Sequence, residues 1–233
     1  MKLLICAGPS TSGKTAVLRH VIGKLITNGH HPAFVKIDVQ FAEEHDLLNK
    51  EFDIPTKIVY SGDLCPDHCS VMVLGDAIKW AQDKGADMLL VETAGLCLRC
   101  SPYVNAGLGL VVLEATSGMN LPRKVGPMLS LADMCMITKI DRVSQAEREV
   151  FRSRIMDAAP TVRVREANAL HGIGIDPLVA QFLATEDIPE KMLLRGNPPV
   201  GTCTICVGKK EIGWQNHFGV VRPLENQTFY RGE

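Results

Sequence analysis

Three things are missing from this chain, and each absence closes a class of function. No apolar run approaches the roughly 18 residues that a bilayer-spanning helix needs, so a membrane span is not expected. Neither sign of charge prevails: 25 Lys and Arg stand against 26 Asp and Glu, a net charge of −1. Without a basic field the chain has no electrostatic footprint for nucleic acid or an anionic membrane surface. A secretory leader is not expected either. Positions 1–7 are a short apolar run that passes straight into a glycine motif, with no long h-region and no small-residue cleavage site. A cytoplasmic location is therefore expected. The 46 % hydrophobic and 22 % charged content excludes a disordered or fibrous chain. A chain of 233 residues can bury about 70 % of its unfolded surface, so a core forms without staples.

What the chain has in excess is cysteine, with eight. In a reducing compartment these are not expected to form disulfides. Six fall into close pairs, Cys65/Cys69, Cys97/Cys100 and Cys203/Cys206, a spacing that suits metal or redox chemistry. Cys6 and Cys135 lie inside apolar runs and read as inert core thiols.

Hydrophobic periodicity sets the architecture. Apolar strands are expected at 2–7, 33–37, 57–60, 88–91, 110–113, 134–137 and 161–164. Helices are expected at 14–27, where Val17, Val21 and Leu25 form one stripe with Leu18 and Ile22 beside it, and at 70–84, 124–131, 145–158 and 177–183. Residues 41–52 read as a polar insert, either mobile or helical. Strands alternating with helices predict a three-layer α/β fold with a mostly parallel sheet. Composition shifts near Arg195–Gly201, which is linker-like. The expected division is a main domain over 1–190 and a small CxxC-containing appendage over 191–233, with a β-like run at 218–221. An appendage of that size has too little core of its own, so it docks, binds metal or pairs with a partner.

The strongest motif is Gly8-x-x-x-x-Gly13-Lys14-Thr15, which follows a strand and opens a helix, the context of a P-loop. Backbone N–H groups over Gly8, Ser10, Ser12, Gly13, Lys14, Thr15 and Ala16 suit phosphate oxygens. Lys14 would reach the β- and γ-phosphates, and the Thr15 hydroxyl would ligate Mg²⁺. Asp38 and Glu92 each end an apolar strand, and ligands of open α/β sheets sit beyond the strands' carboxyl ends. One would hold Mg²⁺ and the other would orient an attacking water. Thr138-Lys139-Ile140-Asp141 follows another strand and resembles the guanine-reading NKxD motif, with Thr in place of Asn. An Asp at position 141 accepts both guanine N1–H and the exocyclic amine, which adenine does not offer. Asn168-Ala169 fits the loop that closes over a base.

Taken in order, Gly8–Thr15, Asp38, Gly62-x-x-Cys65-x-x-His68, Glu92-Thr93-Ala94-Gly95, Thr116-x-Gly118 and Thr138–Asp141 resemble the hydrogenase and urease nickel-insertion GTPases. These are the HypB/UreG family of P-loop metallochaperone GTPases in the SIMIBI class, also related to CobW. The resemblance covers about residues 1–185. It implies a homodimeric, Mg²⁺-dependent GTPase whose GTP and GDP states are coupled to metal delivery to a client metalloenzyme or accessory protein, with slow turnover alone. It also implies that Cys65 and His68 bind nickel or zinc at a dimer interface. A thiolate and an imidazole suit either metal, and a cyclic dimer shares such a site readily.

This chain departs from the family by adding Cys69, Cys97 and Cys100, and by the Cys203/Cys206 appendage. It also lacks a histidine-rich storage run. Cys65, Cys69, Cys97 and Cys100 would make a four-sulfur site within one subunit. Cys203 and Cys206 would need two more ligands, from His217 or from another subunit. Redox chemistry at Cys97/Cys100 and inert thiols are the alternatives there. His20 reads as a surface residue, and His45 as one that would approach the nucleotide only from the polar insert. Two other functions stay open: a nucleotide-regulated iron–sulfur or metal scaffold without significant turnover, and a small-molecule P-loop kinase, for which no arginine-rich acceptor lid is visible.

Overall fold

The computed structural model describes residues 1–62, 66–95, 101–196, 210–213 and 228–229; for 67, 68, 228 and 229 it describes the backbone only. The sheet is built from β1 (Lys2–Ala7), β2 (Pro32–Asp38), β3 (Thr56–Tyr60), β4 (Met88–Glu92), β5 (Leu108–Glu114), β6 (Met134–Thr138), β7 (Arg163–Glu166) and the two-residue β8 (Thr228–Phe229). Its order is β7-β6-β5-β1-β4-β2-β3-β8, and every pairing is parallel. The strands β2, β3 and β4 fill the sheet on one side of β1, β5, β6 and β7 fill the other, and β8 returns to the first side beside β3. The carboxyl end of β1 therefore opens into the crevice between the two halves, where α/β sheets bind ligands.

The helices are α1 (Lys14–Thr27), α2 (Glu44–Phe52), α3 (Pro66–Asp83), α4 (Leu121–Lys124), α5 (Gly126–Ser130), α6 (Gln145–Ala158) and α7 (Asp176–Leu183). The strands β1, β2, β4, β5 and β6 bury both faces, alternate side chains entering opposite layers, whereas β7 leaves Arg163 and Arg165 exposed. Leu3, Ile5 and Ala7 pack with α3, α5 and α6, whereas Leu4 and Cys6 pack with α1 and α7. The α1 stripe of Val17, Leu18, Val21, Ile22 and Leu25 is fully buried, at about 1.5–3 kcal/mol of transfer free energy per side chain. Ser144 and Glu147 close a reciprocal capping box at the start of α6, which fixes that helix where its charged pattern begins.

The differences from the pattern reading have local causes. The α3 helix starts at Pro66, not near residue 70, since proline suits the first helical turn. The helix expected at 124–131 is two short ones, α4 and α5, broken where Gly126 takes φ +39° before Pro127. In the polar insert the helical reading is the one found: it contains α2, anchored by buried Leu48. The run expected at 218–221 lies outside the described residues. No helix among the described residues is long and apolar enough to cross a membrane.

Arg195 begins the linker-like stretch in the sequence, yet it is held in place. Its guanidinium donates to the carbonyls of Val104 at 2.6 Å, Leu131 at 3.1 Å and Gly107 at 3.1 Å, and pairs with Asp133 at 2.8 Å. Leu193 and Leu194 bridge to Glu211 and Val104, and Gly213 N donates to Val71 O of α3 at 3.3 Å.

Candidate nucleotide site

The loop between β1 and α1 is set by glycine. Gly8 takes φ +144°, and a Cβ there would stand 2.2 Å from the Val112 carbonyl oxygen of β5. Only a residue without a side chain lets the loop lie this close to the neighbouring strand. The Lys14 ammonium donates to the carbonyls of Gly8 and Pro9, both at 3.0 Å. Burial pulls Lys14 below the usual lysine value, and the nearby Glu92 carboxylate opposes that pull. Ser12 is fully buried, and its Oγ has no hydrogen-bond partner among the described residues. Ser10 is exposed on the loop's outer turn, and Ala16 is half-buried behind it.

Two strand ends bring acidic groups to this loop. Glu92, at the end of β4, is only 1 % exposed, and both of its oxygens accept from the Thr15 hydroxyl at 2.9 Å. Asp38, at the end of β2, accepts from the Val39 N–H at 2.8 Å through Oδ1. Between them stands Lys36, a residue that the sequence reading passed over. Its ammonium donates to Glu92 Oε1 at 2.6 Å and lies 3.7 Å from Asp38 and 3.5 Å from Glu44. Burial alone would lower Lys36, but the charge and hydrogen bond of Glu92, with Glu44 and Asp38, hold it above the usual lysine value. A lysine interrupting the apolar run of β2 two positions before Asp38 was the available signal.

A hydroxyl, a buried carboxylate and a second carboxylate are hard oxygen donors, the set that Mg²⁺ takes together with substrate phosphates. Thr15, Glu92 and Asp38 therefore fit that ion. Past β4, Gly95 takes φ +77° against the loop, and a Cβ there would stand 1.9 Å from the Gly8 carbonyl oxygen and 2.8 Å from Lys14 Nζ.

The Thr138–Asp141 segment is tied to the same loop. Thr138 is fully buried, and its hydroxyl donates to the Ser12 carbonyl at 2.5 Å. The Thr that stands where the motif has Asn thus bridges the two loops. Lys139 takes φ +55° and ion-pairs with Glu114 at the end of β5. Asp141 is exposed on the short turn that follows. In the next loop, Asn168 Oδ1 accepts from the N–H groups of Leu170 at 3.1 Å and His171 at 3.3 Å. The ring of His20 meets the Ala169 carbonyl at 2.9 Å, so this α1 residue braces the loop and does not stand free at the surface. His45 lines a cavity of about 560 Å³ with Trp80 and Lys57, on the α2–α3 side and away from the loop.

The cysteines divide. Cys6 and Cys135 are fully buried, and burial pushes both thiols far up, as befits inert core residues. Cys69 is also fully buried, in the core cluster that includes α3. Cys65, Cys97, Cys100, Cys203, Cys206 and His217 lie outside the described residues, as does the side chain of His68. Among the described residues no group of three or more His, Cys, Asp or Glu side chains is placed to hold a metal ion.

A family model described as the CobW/HypB/UreG nucleotide-binding domain matches residues 2–165. The chain is 44 % identical over 235 residues, the full length of both, to the uncharacterized protein MJ0120 of Methanocaldococcus jannaschii. It is 30 % identical over 187 residues to urease accessory protein UreG 2 of Streptomyces griseus, covering 73 % of this chain and 81 % of that one. Among solved structures, hydrogenase maturation factor HypB from Archaeoglobus fulgidus superposes with a TM-score of 0.62 at 19 % identity, covering 78 % of this chain and 88 % of that one. HypB from Helicobacter pylori, crystallised in complex with nickel, gives 0.63 at 18 % identity, with 78 % and 86 % covered. At these identities the superpositions show the fold alone.

Proposed function

The chain belongs to the CobW/HypB/UreG family of nucleotide-binding domains, and on that premise we propose that it is a Mg²⁺-dependent GTPase that couples its nucleotide state to delivery of a transition metal. The observation that carries the reading is the Thr15–Glu92 pairing at the mouth of the phosphate loop, with Lys14 and Asp38 on either side.

Each residue then has a task. The backbone N–H groups from Gly8 to Ala16 bind the phosphates, and Lys14 neutralises the β- and γ-phosphate oxygens. Thr15 and Glu92, with Asp38 beside them, would hold Mg²⁺, which would supply further neutralisation of those oxygens. Asp38 orients a water for in-line attack. The oxygen–γ-phosphorus bond forms as the bond to the β-phosphate bridging oxygen breaks, giving GDP and inorganic phosphate. Asp141 reads the guanine edge, the Lys139 stem lies over the base held by Glu114, and Asn168-Ala169 borders it. No arginine from a partner is invoked, so turnover is slow in isolation.

The cargo site follows from the sequence order. Cys65 and His68 come directly after β3, and Cys97 and Cys100 come directly after the Glu92–Gly95 turn that touches the phosphate loop. Loss of the γ-phosphate at that turn would shift one pair against the other and release the metal, nickel or zinc, to a client. GTP favours a homodimer in which both subunits contribute ligands. Cys69 packs in the core, so Cys65 and His68 are the better ligands on that side. Cys203 and Cys206 form a second candidate pair.

The test is one anaerobic preparation assayed for GTP and ATP hydrolysis with Mg²⁺ and for bound metal. Slow, Mg²⁺-dependent GTP hydrolysis that is lost in Lys14→Ala, with nickel or zinc in the protein, is the expected result. Preference for ATP would overturn the guanine assignment. Visible absorption with iron and sulfide would replace metal delivery by a cluster scaffold, and rapid phosphate transfer to a metabolite would make the protein a kinase.

A further inference from the structure

Among the described residues, Lys14 and Lys36 are the buried basic side chains, and the reaction above uses only Lys14. Lys36 is placed by strand register. It pairs with Glu92 across β2 and β4, and alternation points it to the α1–α2 face with Phe34. There its ammonium meets three carboxylates: Glu92 at 2.6 Å, Glu44 at 3.5 Å and Asp38 at 3.7 Å. The same Glu92 carboxylate receives the Thr15 hydroxyl through both oxygens. The group that fits Mg²⁺ is thus already held by a cation that belongs to the chain.

We propose that Lys36 is an internal counter-ion for the Mg²⁺ carboxylates: it holds Glu92 against Thr15 before nucleotide arrives and competes with Mg²⁺ for Glu92. It is a positioning residue, and the inference rests on the Mg²⁺–GTP reading. Its physical basis is charge balance in a buried place. With Lys36 present, a triphosphate that enters without metal meets carboxylates that are already paired. Without it, the phosphates face a buried Glu92 that has lost the cation hydrogen-bonded to it, and at low effective dielectric more of the repulsion is left for Mg²⁺ to relieve. When Glu92 turns to Mg²⁺, Asp38 and Glu44 remain as partners for the ammonium, so the lysine keeps a satisfied charge. Glu44 lies in the first turn of α2, which links the metal state to the segment after β2.

The experiment measures equilibrium binding of a fluorescent GTP analogue to the full chain, in EDTA and in excess Mg²⁺. The quantity read is the ratio of the two dissociation constants. In Lys36→Gln this ratio rises about tenfold or more over the wild type, within the usual range of linked-site couplings. The half-saturating Mg²⁺ concentration falls, because the competitor is gone. Lys36→Arg keeps the charge and stays near the wild-type ratio. A ratio in Lys36→Gln within about twofold of wild type overturns the proposal, as does an Arg variant that behaves like the Gln variant. Should Lys36→Gln fail to fold, Glu44→Gln serves. That side chain is 37 % exposed, and its loss leaves the ammonium more firmly on Glu92. The half-saturating Mg²⁺ concentration then rises about twofold or more, and an unchanged or lower value overturns the proposal. If the wild type binds no guanine nucleotide in either buffer, the GTPase reading itself fails and this inference with it. Binding with an unaffected ratio sinks the inference alone.

Discussion

The bridge from Thr138 to the phosphate loop gives a prediction whose size follows from the structure. Thr138→Val keeps the branched shape of the side chain and removes only the donor. The Ser12 carbonyl, which accepts from that hydroxyl at 2.5 Å in a fully buried position, then loses this bond. A lost partner in such a site costs about 1–3 kcal/mol. Taking ~2 kcal/mol, Tm for a chain of this length falls by about 4–8 °C. The loosened carbonyl lies within the loop that binds phosphate, so part of the loss appears in affinity; 1.4 kcal/mol there is about tenfold in Kd. The assays are thermal unfolding by circular dichroism and a GTP titration in Mg²⁺. Thr138→Ser keeps the donor and should retain near-parental GTP affinity. If Thr138→Val melts within about 1 °C of the parent, well inside that expected fall, and binds GTP equally well, the bridge contributes nothing and the reasoning is wrong.

Three further outcomes follow. Gly95→Ala puts a Cβ 1.9 Å from the Gly8 carbonyl oxygen at φ +77°, so the turn and the loop must separate; GTP binding should fall by more than about tenfold, a loss of over 1.4 kcal/mol, and unchanged binding would show that the two need not touch. Asp141→Ala should cut the preference for GTP over ATP by about two orders of magnitude, because the polar contacts that select guanine are gone; competition binding with an unaltered ratio would remove Asp141 from base reading. Arg195→Ala breaks the pair with Asp133 and three bonds to carbonyls, for a loss of about 2–4 kcal/mol seen as a lower urea midpoint at unchanged slope. Arg195→Lys recovers only part, since an ammonium lacks the planar fork; a midpoint unmoved by Arg195→Ala would mean that the anchor is dispensable.

How far the chain could be read without coordinates differs by residue. Gly8, Gly13, Lys14 and Thr15 were legible because a phosphate loop needs those residue types at fixed spacing between strand and helix. Asp38 and Glu92 were legible because parallel strands end at one edge, which is a property of the fold class. Lys36 was not, because a single polar residue within Ala33–Ile37 carries no motif, and its role exists only once β4 lies beside β2. The same holds for Thr138. As a motif letter it is a departure from Asn, and only its contact with Ser12 shows what the hydroxyl does. Arg195 looked like linker because Gly and Pro follow it, yet its partners are backbone carbonyls of the 104–107 and 131 turns, which composition does not display. Cys69 shares its spacing with Cys65, but the earlier start of α3 turns it into the core.

The central claim is that nucleotide state and metal binding are coupled, and by linkage the coupling must be reciprocal. One calorimetric measurement tests it: titration of Zn²⁺ or Ni²⁺ into the anaerobic full chain, loaded with Mg²⁺ and either GDP or a non-hydrolysable GTP analogue. The account predicts metal affinities that differ by about fivefold or more between the two states. Equal affinities, or no metal binding in either state, would contradict it.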